Sequence, residues 1–136
     1  MSLKFSTAVR NAMLDTIEST IGTSAILRLR SGSPPATCAT ADSGTVIATY
    51  NLASDYMAAA ASGAKAFSSL PLSDTSADNS GTLGHFRLYD SGGTVCGMQG
   101  TITATGGGGD MTVDNTSVTA GQQVNITAFT INAPGA

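Results

Sequence analysis

The chain has 136 residues, a length that suits one domain burying roughly 65–70% of its unfolded surface around a single core. Charged residues make up 11% of it and the net charge is -3, with Lys4, Arg10, Arg28, Arg30, Lys65 and Arg87 scattered along the sequence. Nucleic acid recognition needs such residues clustered, so no nucleic acid partner is expected. Aromatic residues are 5% and Trp is absent, which leaves Tyr50, Tyr56 and Tyr89 as the residues able to stack on a sugar ring. No run reaches the about 18 apolar residues of a membrane span. Met1 to Arg10 has no apolar stretch of the signal-peptide kind, so synthesis in a cytoplasm-like compartment and no membrane partner are expected.

In chain order, the first element is a helix. Phe5, Val9, Met13, Ile17 and Ile21 recur every four residues, with Ala8 and Ala12 beside them. Ser6 is placed to cap its start and Gly22 to stop it. Arg10, Asp15 and Glu18 fall off the stripe. Phe5, Val9, Met13 and Ile17 either cover this chain's own sheet, as amphipathic stripes usually do, or dock on a partner.

From residue 23 the period changes to two. Ser24 to Arg30 alternates, with Ala25, Leu27 and Leu29 on one face and Arg28 and Arg30 on the other. Ser31-Gly32-Ser33-Pro34-Pro35 ends that strand, because proline removes ladder donors. Gly44 to Leu52 is the next, with Val46, Ala48, Tyr50 and Leu52 opposed to Thr45, Ile47 and Thr49. Residues 56–69 form one or two short strands, and Ser73 to Gly81 is a polar loop. Leu83 to Asp90 and Val95 to Thr103 form a hairpin about Ser91-Gly92-Gly93, since glycine reaches positive φ at no steric cost. Gly106 to Gly109 is a bend, Met111 and Val113 begin another strand, and Ala120-Gly121-Gln122 turns into a last strand, Val124 to Asn132. There Val124, Ile126, Ala128 and Thr130 share one face and Phe129 and Ile131 the other. Six to eight strands at this spacing predict a mainly β domain, a sandwich or barrel and most specifically a jelly roll. One domain is expected, with an N-terminal helical segment at 1–22 and a β body at 23–136.

Chemistry is sparse. His85 is the only histidine, and no C-x-x-C or H-x-x-x-H spacing accompanies it, so no metal is expected. Cys96 as a nucleophile with His85 as its base is the sharpest catalytic pairing, yet no catalytic signature surrounds it. Cys38 and Cys96 are far apart in sequence and read as two free, buried thiols. The glycines at 106–109 lack the Lys-Ser/Thr and the helix of a phosphate-binding loop. Asp74 and Asp78 share a loop and read as solvated acids without a calcium pattern. No catalytic residue, cofactor or enzymatic activity is expected.

Four stretches together resemble small virion structural proteins of tailed bacteriophages, of the head decoration or cement type. They are Phe5-Ser6-Thr7-Ala8-Val9-Arg10-Asn11-Ala12-Met13-Leu14; Leu29-Arg30-Ser31-Gly32-Ser33-Pro34-Pro35; Gly84-His85-Phe86-Arg87-Leu88-Tyr89-Asp90 running to Met98-Gln99-Gly100-Thr101; and Asp114-Asn115-Thr116-Ser117 with Ala120-Gly121-Gln122. The resemblance implies a β-sandwich or jelly-roll body on the outer surface of the phage head, made in the host bacterial cytoplasm and located in the virion. Its partner would be the major capsid protein, whose subunits it bridges, with homo-oligomers on the shell. Alternatives are a tail or neck adaptor or fibre component, and a carbohydrate- or receptor-binding β-module.

Overall fold

A computed structural model describes residues 3–136; Met1 and Ser2, the first two residues of the expected helical segment, lie outside the described residues. The helix α1 spans Thr7–Ile21. Ser6 caps it as its Oγ accepts from the Val9 N–H at 3.2 Å, and Gly22 ends it at φ +97°. Nine strands follow among the described residues: β1 Ile26–Ser31, β2 Val46–Asn51, β3 Ala64–Ala66, β4 Leu72–Asp74, β5 Gly81–Tyr89, β6 Cys96–Ala104, β7 Met111–Val113, β8 Ser117–Val118 and β9 Val124–Asn132. They form one mixed sheet in the order β2-β1-β5-β6-β7-β9-β3, with β4 joining β9 and β8 joining β5. All pairs are antiparallel except β6 with β7.

The hairpin of β5 and β6 lies where expected. Asp90 closes it, with Oδ1 accepting from Thr94 N–H at 3.1 Å and Val95 N–H at 3.2 Å. Cross-strand register puts Leu27 beside Leu88 and Tyr50, and Leu29 beside Phe86 and Ala48, all on the concave, buried face. Phe129 anchors the middle of this core, edge-on to Phe86 at 5.3 Å and tilted against Phe67 at 5.0 Å. Gly100, opposite Phe86, makes room for that ring: a Cβ there would run into it and into the Asp110 carboxylate.

The sheet curls until its ends approach. Tyr50 on β2 donates to the Val124 carbonyl on β9 at 2.8 Å, and the Thr49 N–H donates to Asp74 of β4 at 3.0 Å. The seam is therefore closed by these side chains and one main-chain bond, Asp78 N–H to the Ile47 carbonyl at 2.7 Å, in place of a continuous ladder. Burial and the charges of Asp74 and Asp114 raise the Tyr50 pKa, so its hydroxyl stays protonated as the donor this contact requires.

Two strands depart from strict alternation, both at bulges. Leu29 pairs with Ala48 and Arg30 with Val46, so Ile47 is the extra residue; it is fully buried, against the expectation that it opposes the core-facing side chains. In β9, Thr112 pairs with Ala128 and Val113 with Ile126, leaving Thr127 unpaired. A bulge of one residue reverses which side chains face inward. Val124 and Ile126 are buried before it and Phe129 after it, while Ala128 and Thr130 are exposed. The expected face of four is thus split. Residues 56–69 hold β3 and two isolated bridges, Met57 with Phe67 and Ala61 with Ala64. Part of the expected 73–81 loop is strand β4, and Ala77 within the remainder is buried.

The seam yields a direct test. Tyr50→Phe deletes one buried hydrogen bond across the seam, so chemical denaturation should show a loss of about 1 kcal/mol. A change within error would mean that the ends are not held by this contact.

Candidate docking surface and the buried polar clamp

On the convex side of β1, β5 and β6, register sets Arg28 beside Arg87, Arg30 beside His85 and Arg87 beside Gln99. Arg87 is 2% exposed, and a buried guanidinium must have its N–H groups satisfied. The segment at residues 32–45, which joins β1 to β2, folds over the sheet and supplies the acceptors. Arg87 Nη1 donates to Asp42 Oδ1 at 2.7 Å. Its Nη2 donates to the carbonyls of Thr37 at 2.8 Å and Thr40 at 2.9 Å, and its Nε to Gln99 at 3.0 Å. The Gln99 amide in turn donates to the Pro35 carbonyl at 2.6 Å. Asp42 also accepts from Tyr89 at 2.7 Å and Arg30 at 3.0 Å. Arg28 stacks 4.8 Å from the centre of the Tyr89 ring. Burial pushes the Asp42 carboxyl up, but the hydrogen bonds from Tyr89 and Arg87 and the charges of Arg30 and Arg87 outweigh it, and its pKa lies below the usual value.

This strap also brings Cys38 to Cys96, and the two are joined as a disulfide with Cα atoms 5.3 Å apart. The expectation of two free thiols is therefore corrected. Sequence distance hid the pairing because Arg87 folds the intervening strap back onto β6. Closing a loop across a separation of 58 residues stabilises the fold by about 4 kcal/mol on the chain-entropy estimate.

The expected chemical candidates are dispersed or occupied. Cys96 has no thiol to offer, and His85 pairs with Thr101 on β6, away from Cys96. The His85 ring is fully buried, with Nδ1 2.8 Å from the Gly32 carbonyl and Nε2 without a partner among the described residues. A Cβ at Gly84 would overlap that same Gly32 carbonyl, so glycine at 84 lets the strap lie against β5. Burial lowers the His85 pKa, aided by Arg30 and Arg87. Tyr50, Tyr56 and Tyr89 are all buried, at 5%, 4% and 1% exposure, so none presents a ring for stacking on a sugar. Burial and Glu18 push the Tyr56 hydroxyl up to about 12. Asp74 and Asp78 both serve β2: Asp78 accepts from the Thr49 hydroxyl at 2.7 Å, beside the Asp74 contact already given. Among the described residues no three His, Cys, Asp or Glu side chains group as metal ligands, and no helix is long and apolar enough to cross a membrane.

The helix docks in a way the apolar stripe does not anticipate. Residues 57–63, folded against β3, present main-chain N–H groups that need acceptors. Asn11 accepts from Gly63 N–H at 2.8 Å, Asp15 from Ala60 N–H at 2.9 Å and Glu18 from Met57 N–H at 3.3 Å. Buried Lys65 reaches back to Asp15 at 2.8 Å and Glu18 at 3.3 Å. Burial would lower the Lys65 pKa, but these two carboxylates raise it; Asp15 is lowered by the Lys65 hydrogen bond. Leu14 is the buried residue of the helix. Of the expected stripe, Val9 is 45% and Met13 38% exposed, while Phe5 and Ile17 are half-buried. An apolar strip of α1 thus faces solvent. Beside it, Ile17, Ile21 and Val95 line a groove of 590 Å³ between the helix and the β5–β6 hairpin.

No protein-family model, no curated protein and no solved structure matches this chain.

Two outcomes follow from the clamp. Arg87→Met removes the donors that hold the strap and should cost about 2–4 kcal/mol in denaturant unfolding; a loss below about 0.5 kcal/mol would show that the strap is held otherwise. His85 is kept neutral when folded, whereas the unfolded chain takes up its proton near 6.5. Stability should therefore fall as pH drops below that value and level off below the lowered folded pKa. His85→Asn, which retains a donor for Gly32, should remove this decline, leaving the carboxylate effects below about pH 4. An unchanged slope in the variant would assign it to other groups.

Proposed function

We propose that this chain is a non-enzymatic structural protein of a tailed-bacteriophage virion, a decoration or cement protein bound to the outer surface of the assembled head, where it bridges subunits of the major capsid protein. The observation that carries this reading is the inverted docking of α1. Its polar residues are committed to the body, and Val9 and Met13 are left to solvent. Exposed apolar side chains aligned on one element are a common mark of a protein-binding face. The four stretches resembling phage head proteins give the class of partner. A charge-poor surface rich in Ser, Thr and Gly suits hydrogen bonding across an interface, and many identical sites on a shell turn modest contacts into avidity.

The disulfide supports the virion as the location. Disulfides persist on particle surfaces and are rare in the reducing cytoplasm where the chain would be synthesised. The finer architecture, a jelly-roll-like sandwich, belongs to the same reading: the curled sheet encloses one core as such a body does. Homo-oligomers on the shell fit a docking element that repeats at each site.

Copy number per purified virion, measured by quantitative mass spectrometry against the major capsid protein, tests the proposal. A ratio near one, or a simple fraction of it, is expected. About a dozen copies would move the protein to the neck or tail. Val9→Glu with Met13→Glu should leave unfolding free energy within about 0.5 kcal/mol and weaken binding to assembled shells at least about tenfold. Unchanged binding would remove the helix from the interface.

A further inference from the structure

The sheet has a gap in its middle. β7 is only three residues long and separates β6 from β9 over Ile102–Ala104 and Ile126–Phe129. Its shortness has a local cause. The chain leaves β6 at Ala104 and doubles back through four glycines to run parallel to it, with Gly106 and Gly108 at positive φ. No strand lies between Met98–Gly100 of β6 and Thr130–Asn132 of β9. Where β7 is present, two ladder spacings hold β6 and β9 about 10 Å apart. Beyond its end, a cavity of 410 Å³ opens between them. Phe86, Met98, Phe129 and Ile131 line it together with Asp110.

Register determines which main-chain groups face the gap. Thr101 N–H points away from β5, because it donates to Asp110 Oδ2 at 2.9 Å; two residues earlier, Gln99 points the same way. Ala133 N–H donates to Gly63 on the β3 side at 2.9 Å. Ala133 and Ile131 thus serve β3, while Thr130 and Asn132 face the gap. The slot-side groups of Gln99, Thr130 and Asn132 have no ladder partner: these stretches of β6 and β9 pair with β5 and β3 alone. Asp110 already acts as one residue of a missing strand, its carboxylate standing where a carbonyl would accept from Thr101.

We propose that this gap is a strand-addition site. It takes a short extended segment of a protein partner, parallel to β6 and antiparallel to β9, prolonging β7 past its start. Such binding draws affinity from main-chain hydrogen bonds and selectivity from alternate side chains. Inward-facing residues of the segment would be Val, Ile or Thr over Met98 and Ile131. A Lys or Arg would lie at the Asp110 end, since Asp110 is the one charged residue lining the cavity. The site is independent of the virion reading and of the α1 stripe.

The probe is a capped peptide, Thr-Val-Thr-Val-Lys, whose C-terminal Lys reaches the Asp110 end in the parallel orientation, titrated into the full chain and followed by amide NMR. The amide signals of Gln99, Thr130 and Asn132 should shift, with millimolar affinity, and their hydrogen exchange should slow on saturation. Thr130→Pro with Asn132→Pro removes the two slot-facing donors of β9 without touching its β3 ladder and should abolish binding. Thr130→Ala with Asn132→Ala should retain it. The same peptide N-methylated at alternate amides tests the claim on the unaltered protein, and it should not bind. Absence of shifts at the three amides up to about 10 mM peptide, equal binding of the N-methylated peptide, or equal loss in the alanine pair would each overturn the proposal.

Discussion

A guanidinium on a sheet face cannot be covered unless its N–H groups find acceptors, and in this fold that requirement falls on Arg87. The two carbonyls and the carboxylate that satisfy it all come from the strap at 32–45. Once the strap is laid over β5, other features follow. Asp42 lies between Arg87, Arg30 and Tyr89, Gly32 caps His85 and Cys38 meets Cys96. The convex face is thereby closed by polar bonds, while the concave face holds the apolar core around Phe86 and Phe129. Removing either partner from such a network costs more than the pair contributes, because the remaining charge stays partly buried.

The same principle governs the helix. Main-chain donors at 57–63 need acceptors, and Asn11, Asp15 and Glu18 supply them. Lys65 bridges the two carboxylates from the strand side. Polar demand therefore decides which face of α1 turns inward, and a part of its apolar stripe stays outside. The side chains singled out as chemical candidates are taken up by the fold. Its histidine is occluded, its cysteines are bonded to each other and its tyrosines are buried. Part of the apolar side of α1 stays exposed, and main-chain groups of β6 and β9 lack a ladder partner where β7 ends.

Much of this was legible in the residues. The Ser6 cap, the Gly22 stop and the glycine-bearing hairpin after Asp90 are local devices, and local devices can be read without the fold. So could the mainly β character with one N-terminal helix, and the pairing of Leu27 and Leu29 on one face. The rest depends on contacts distant in sequence. A bulge at Thr127 or Ile47 has no signature in an alternating pattern, yet each reverses the facing of its neighbours. From the sequence, Asp15 and Glu18 only fall off the apolar stripe, because the donors they meet lie more than thirty residues on. The disulfide needed the strap, and the strap needed Arg87, a residue that looks like an ordinary strand surface charge. Two paired strand arginines and a downstream aspartate were the signal available, but nothing local says that a loop will cover them.

The central claim, that the body is fixed by buried polar contacts so that the apolar side of α1 is free to bind a shell, is tested most directly by electron cryomicroscopy of the phage particle. The account predicts density for this nine-stranded body on the outer head surface, seated where capsid subunits meet, with Val9 and Met13 of α1 at the contact. Density confined to the neck or tail, or a head-bound body with that side of α1 turned to solvent, would contradict it.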